Sequence, residues 1–314
     1  LKKIAVIMST YNGEKFIAEQ IESLLNQDLD TSKYALSIYC RDDGSSDQTR
    51  KILDDYANNY ENIKVLEEKN EMNLGVQLSF LTLLKKTVAD YYFFCDQDDV
   101  WHPSKIRCFL DEFNRADETK PCGVYSDLNI VDSNNKDTGN TMMGLNGWGY
   151  NEVRDLAFLT FKSRVTGAAF AINKDLRDMA IKVKDKQFKK IRMHDSFCAL
   201  IAVSYDNLRF LPDTTVNYRQ HGDNVLGAKT KRHPVTDIKY RRRAMQRCFT
   251  DLSIMKSVID INEVTRKNQK ILTSALSFWK TNNPVSKALL IVRDYKSFWR
   301  FVELKILIFL VVFY

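Results

Sequence analysis

Asp96, Asp98 and Asp99 crowd into one short stretch directly after the apolar run Tyr91-Tyr92-Phe93-Phe94-Cys95. Carboxylates this close repel one another and raise each other's pKa unless a cation compensates, so the pattern points to a divalent metal, and such a metal commonly holds phosphates. An isolated D-x-D also serves as a solvated turn that caps the next helix. A second acidic strand end favours the metal: Ser37-Ile38-Tyr39-Cys40 runs into Arg41-Asp42-Asp43-Gly44-Ser45-Ser46-Asp47. Open α/β sheets bind their ligands outside the carboxyl ends of their strands, which is where both clusters fall.

The elements that must deliver these residues alternate in type. Strands are expected over Ile4 to Met8, Ala35 to Cys40, Ile63 to Leu66 and Tyr91 to Cys95, with helices over Glu14 to Asn26, Gln48 to Tyr60 and Val76 to Val88. This order predicts an α/β chain with a mostly parallel central sheet covered on both faces. A helix follows from Pro103 to about Arg115, then a strand from Cys122 to Asp127, and then a Gly- and Asn-rich connection over Ser133 to Asn151 that reads as a surface loop or a lid. Val165 to Ile172 reads as a buried strand with close backbone approach at Gly167; helices follow over Asp175 to Lys182 and from His194-Asp195 through Val203, and a last strand over Thr214 to Gln220. No G-x-G-x-x-G follows the first strand, which argues against a dinucleotide oxidoreductase.

With 314 residues and 44% hydrophobic content, the chain supports one large α/β domain plus an appendage, and a boundary is expected near Pro234. Its six cysteines include no C-x-x-C pair, and several sit inside apolar strands, as in a reducing cytoplasm; no secretory signal is read at the first residues. The net charge of +7 is concentrated, with Lys229, Lys231, Arg232, Lys239, Arg241, Arg242, Arg243 and Arg247 in one stretch. Such a patch suits an anionic partner, lipid or nucleic acid, or else forms a solvated helix face. Ile306 to Tyr314 is wholly apolar but short of the roughly 20 residues a membrane-spanning helix needs. The wider stretch from Tyr295 interleaves Lys296, Arg300, Glu303 and Lys305 with Phe298, Trp299, Phe301 and Leu304, which fits an interfacial helix or one docked on the core or on a second subunit.

Ser9-Thr10-Tyr11-Asn12-Gly13-Glu14, Asp42-Asp43-Gly44-Ser45-Ser46-Asp47, Asn73-Leu74-Gly75, Asp96-Gln97-Asp98-Asp99-Val100-Trp101, His194-Asp195 and Tyr218-Arg219-Gln220-His221 occur in this order. Together they resemble the family 2 inverting glycosyltransferases of the GT-A fold. Cys95 to Trp101, Met193-His194-Asp195 and Tyr218 to Asn224 are most like bacterial polysaccharide rhamnosyltransferases, among them the enzymes of streptococcal rhamnose cell-wall polymers. The resemblance implies a GT-A catalytic domain over 1–234, with a nucleotide-sugar half to about 130 and an acceptor half beyond it, followed by a basic, amphipathic helical region over 235–314.

It also implies roles. Mg²⁺ or Mn²⁺ would rest on Asp98 and His221, with Asp96 beside them at the ribose or the metal's water shell. Asp43 would accept the N3 proton of a pyrimidine, Tyr11 would stack on the base, Ser9 or Thr10 would hydrogen-bond to it, and Asn73 would join the nucleotide-sugar contacts. Asp42 and Asp47 serve equally as caps of the next helix, the role expected of Asp47. Arg219 offers a fork that matches diphosphate oxygens. Asp195 is the expected general base, with helix capping as its other reading, and His194 would orient it or touch the acceptor. Gly167 and Trp101 join the acceptor side, although Trp101 with Pro103 also suits packing against the next helix.

The expected donor is dTDP-β-L-rhamnose and the expected acceptor a polyprenyl-diphosphate-linked glycan. The basic segment and apolar tail would hold the enzyme at the cytoplasmic face of the membrane, at about 1 kcal/mol per basic residue near an anionic surface. A homodimer is compatible with the tail, and no nucleic acid is expected. The alternatives are the same chemistry with a UDP-hexose or UDP-N-acetylhexosamine, and a non-catalytic polyanion-binding protein that uses Arg241-Arg242-Arg243.

Overall fold

The computed structural model describes residues 1–66, 73–221 and 238–302. Lys229, Lys231, Arg232, Gly222 to Asn224 and the tail from Glu303 to Tyr314 lie outside the described residues, as do the side chains of Lys239 and Arg241.

The first half alternates as expected: β1 (Lys2–Thr10), α1 (Ile17–Leu25), β2 (Tyr34–Asp42), α2 (Thr49–Asn59), β3 (Ile63–Val65), α3 (Val76–Lys86) and β4 (Tyr91–Cys95). Next come β5 (Val100–Trp101), α4 (Lys105–Asn114), β6 (Gly123–Val131), β7 (Asp137–Thr141), α5 (Met142–Asn146), α6 (Leu156–Phe161), a 3-10 turn at Gly167–Ala169 and β8 (Phe170–Asn173). The rest is α7 (Lys174–Ala180), α8 (Asp185–Phe188), α9 (His194–Ser204), β9 (Leu208–Arg219), α10 (Ile238–Lys256), α11 (Arg266–Lys280) and α12 (Pro284–Asp294), closed by a 3-10 turn at Trp299–Phe301.

The strands form one sheet in the order β3-β2-β1-β4-β8-β6-β9-β5, with β7 paired to β6. β1, β2, β3 and β4 are mutually parallel; β8 runs antiparallel between β4 and β6, and β9 is parallel to β6. The carboxyl ends of β1, β2, β4, β6 and β9 therefore share one edge of the sheet. Alternation along the strands feeds two cores. Ala5, Ile7, Tyr92 and Phe94 face α3 and α9, whereas Ile4, Val6, Met8, Phe93 and Cys95 face α1 and α4 with Ile17, Ile21, Ile106 and Phe109.

The helices after residue 238 extend the first of these cores through Phe249, Leu272, Phe278 and Trp299. Arg192, just ahead of α9, pairs with the buried Asp251 at 2.5 Å. Asn268 donates to the carbonyls of Val203 and Ser204, satisfying the carboxyl end of α9. Both ends of α9 are thus anchored by the C-terminal helices.

Four expectations need correction. Val165 to Ile172 is not a continuous strand, because the Gly167 amide donates to Asp195 and is lost to the sheet ladder; β8 begins at Phe170. The connection over Ser133 to Asn151 contains β7 and α5, pinned where Asp127 accepts from Met143 N and Tyr150 Oη. The last strand starts at Leu208 and not at Thr214, with a register shift at Pro212 within it. Of the readings for the stretch from Tyr295, the described part to Val302 follows docking on the core, though not as a continuous helix: α12 stops at Asp294, and Phe298 and Trp299 are buried in the core.

Candidate active site

Parallel pairing sets Thr10 beside Asp42 and Met8 beside Cys95, so the loops leaving β1, β2 and β4 meet at one edge. Gln97 locks two of them together: its Oε1 accepts from Tyr11 N at 2.7 Å and its Nε2 donates to Tyr11 O at 3.0 Å. A Cβ at Gly13 would overlap this carboxamide, which explains the glycine there. Tyr11 is left half exposed at the rim, and Ser9 is partly buried.

Asp43 is buried and heavily engaged. It pairs with the buried Arg41 at 2.5 Å and accepts from the amides of Leu74 at 2.7 Å and Gly75 at 2.8 Å. A carboxylate has about four lone-pair sites, so one direction on Oδ2 remains for a ligand. Its partners hold the Asn73-Leu74-Gly75 segment against β2, with exposed Asn73 accepting from Gly75 N. Asp42 accepts from Thr10 Oγ1, Ser45 N and Ser45 Oγ, so it closes the turn. Asp47 stands one residue ahead of the N-cap Gln48 and accepts from Thr49 N, the first residue of α2, and from Glu14 N, so it ties the two loops together.

His221 returns from β9 and places Nε2 at 2.8 Å from Asp98 Oδ2. Burial pushes the Asp96 carboxyl up to about 7, and the charges of Asp98 and Asp195 push it the same way. Asp96, Asp98 and Asp195 therefore share one electrostatic neighbourhood. Asp99 is fully buried, its carboxyl raised by burial and by Asp98 and Asp96, and it accepts from the Arg219 amide. Among the described residues no three His, Cys, Asp or Glu side chains form a metal cage. A hard divalent cation that rests on one or two carboxylates and takes its other oxygens from phosphate fits the Asp98–His221 donor set and the mutual repulsion around Asp96.

Asp195 stands in the first turn of α9 and is 7% exposed. Its Oδ2 accepts from Gly167 N at 2.8 Å and its Oδ1 from Ser196 N at 2.5 Å. A Cβ at Gly167 would come within 3.2 Å of His194 Nε2 and 3.5 Å of Asp195 Oδ2, so the close approach expected there is real.

Four assignments change. Arg219 is 1% exposed, and it donates to the carbonyls of Asp98 and Ser133 and to Glu19 Oε2, bracing the acidic loop instead of offering its fork to a diphosphate. His194 does not orient Asp195: its ring stacks on Phe80 at 4.1 Å, neither nitrogen has a hydrogen-bond partner among the described residues, and burial lowers its pKa. Trp101 is 2% exposed and packs on Phe93, so it presents no face to an acceptor. Thr10 is buried with its hydroxyl turned to Asp42. Two residues passed over in the sequence matter here: Gln97, inside the acidic motif, and Lys105, whose wholly buried ammonium is lowered to about 7 by burial. Gln97 is a polar residue set among acidic ones and carries no periodic signal, and Lys105 reads as one more basic residue beside Arg107.

The family model for glycosyl transferase family 2 matches residues 5–176. The chain belongs to that family. It is a glycosyltransferase, and the acidic strand ends and Gly167 lie within the matched span while Asp195, Arg219 and His221 follow it. The chain is 28% identical over 295 residues, 87% of its length and 93% of the relative's, to a dTDP-rhamnosyl transferase, RfbG, of Shigella flexneri. Among solved structures it is similar to S. aureus TarS in complex with UDP-GlcNAc, with a TM-score of 0.54 at 16% identity, covering 96% of this chain and 77% of that one. It is also similar to the mannosyltransferase PcManGT of Pyrobaculum calidifontis in complex with GDP-Man and Mn²⁺, with a TM-score of 0.54 at 16% identity, covering 94% of this chain and 76% of that one. The glycosyltransferase retains the expected α/β architecture, a mostly parallel curled sheet between helices.

Proposed function

We propose that this glycosyltransferase moves L-rhamnose from dTDP-β-L-rhamnose, with inversion, onto a lipid-linked precursor of a cell-wall or capsular polysaccharide. The observation that carries the chemistry is the contact of Asp98 with His221 at the sheet edge where the loops leaving β1, β2 and β4 meet. The likeness to the Shigella flexneri dTDP-rhamnosyl transferase along 87% of the chain supports the choice of sugar.

In this reading Tyr11, Ser9, Asn73 and the open direction on Asp43 receive the nucleotide, and Asp98 and His221 hold Mg²⁺ or Mn²⁺. When bound, the cation offsets the charge that builds on the diphosphate as it leaves with the bonding electrons. Asp195 takes the proton of the acceptor hydroxyl while that oxygen attacks the anomeric carbon, so no covalent sugar–enzyme intermediate is required. Amides on both carboxylate oxygens fix the direction of the base while leaving lone pairs for the incoming proton.

Residues 1–130 would serve the donor and 131–234 the acceptor, with the later helices bringing the enzyme to the cytoplasmic face of the membrane. No helix among the described residues is long and apolar enough to cross a bilayer. Release of nucleoside diphosphate across a panel of activated sugars tests the donor: turnover is expected to be highest with dTDP-rhamnose. Faster turnover with any UDP-hexose or UDP-N-acetylhexosamine overturns that choice while leaving the chemistry standing.

A further inference from the structure

Lys105 is wholly buried, and it opens α4, the helix end where a positive charge is least favoured. Its Nζ lies 3.4 Å from the centroid of the Trp101 ring and donates a 2.5 Å hydrogen bond to the carbonyl of Ala168. A methionine would fill much the same space without taking a charge out of water, so packing alone gives no reason for a lysine. Ala168 supplies one. It belongs to the 3-10 turn Gly167–Ala169, whose first amide donates to Asp195 Oδ2. One side of that turn lies against His194 and Asp195, where even a methyl group at Gly167 would crowd both. The other side packs Ala168 and Ala169 into the core, and there Lys105, from the helix that follows the Asp96–Asp98 loop, donates its hydrogen bond to the Ala168 carbonyl.

We propose that Lys105 is a positioning residue that ties the turn holding the general base to the helix behind the cation-binding loop, and so fixes the distance between the two halves of the site. This rests on the reading of Asp195 as the base. Lys105 touches no reacting atom; it acts through the Ala168 carbonyl and the neighbouring Gly167 amide.

The test is a double-mutant cycle on the full chain, with Lys105→Met and Asp195→Asn made singly and together, and with kcat, donor KM and melting temperature measured for each. Misplacing a reacting group by about 1 Å costs up to about 10²-fold, so Lys105→Met is expected to lose about 10- to 100-fold in kcat with donor KM within about twofold. In the Asp195→Asn background the same change is expected to cost less than about twofold, because the group it positions is gone. Lys105→Gln, too short to reach Ala168, is the second variant should methionine impair folding, and the same split is expected. An unchanged kcat, or a loss that multiplies fully with that of Asp195→Asn, overturns the proposal. A silent Asp195→Asn would instead overturn the reading of the base, so the two failures are told apart.

Discussion

Asp96 holds its proton more tightly than an ordinary aspartate, because burial and the charges of Asp98 and Asp195 all oppose its ionisation. The folded protein thus binds a proton that the unfolded chain, with an aspartate near 3.8, releases earlier. Stability from this proton is present at low pH and is lost as pH rises from about 4 to about 7. Metal-free melts at pH 5 and pH 7 should show wild type losing more than Asp96→Asn over that interval, and equal losses would contradict the shift. Asp195 carries a separate prediction. Asp195→Asn keeps the shape of the side chain and removes its basicity, so kcat should fall by about 10² to 10⁴ while donor affinity, read by calorimetry, stays within a few-fold. A collapse of donor binding would place Asp195 on the nucleotide instead.

The elements that position these groups were legible to different degrees, and the reasons are physical. Strand β4 and the middle of β1 announce themselves because both faces are covered and the sequence is continuously apolar, as in Tyr91–Cys95. β7 reads Asp-Thr-Gly-Asn-Thr and is almost wholly exposed, so no apolar alternation marks it; the turn before it relies on Asn135 at a φ of 60°. The carboxylates and His221 could be found from strand ends and motif order. Whether Arg219 or His194 faces a ligand or the core is decided by neighbours far along the chain, Glu19 and Phe80, and local sequence does not hold that information. Two predictions belong at this scale. Gln97 joins the loops after β1 and β4, so Gln97→Ala should raise donor KM by about tenfold with kcat little changed, a split that initial-rate kinetics reads directly. His194 opens α9 unpaired between Phe80 and Phe94, its folded pKa below the unfolded value of about 6.5, so its stabilising neutral form is lost as pH falls below that value. His194→Phe should gain in melting temperature relative to wild type at pH 5 compared with pH 8.

At the scale of the whole molecule, the C-terminal helices complete the core on which α9 rests. Trp299 is fully buried, 4.6 Å from the ring of Phe278 and 5.9 Å from that of Phe161. Trp299→Ala should cost about 3–5 kcal/mol in denaturant unfolding, and a cost under about 1 kcal/mol would show that this region folds apart from the rest. The basic segment and apolar tail that suggest a membrane surface lie mostly outside the described residues, so their part is tested by removing residues 303–314, which spares Phe298, Trp299 and Val302 in the core. The shortened protein should co-sediment less with anionic vesicles, and undiminished binding would exclude the tail as anchor. What unites the proposed function is a sheet edge that would gather a cation site, a nucleotide site and a base from distant parts of the chain. A crystal structure with dTDP and Mn²⁺ tests this most directly. The prediction is Mn²⁺ on Asp98 and His221 with the diphosphate beyond it, the pyrimidine between Tyr11 and Asp43, and the Asp195 carboxylate open on the side where the sugar would sit. Nucleotide bound elsewhere, or Mn²⁺ away from Asp98 and His221, would contradict it.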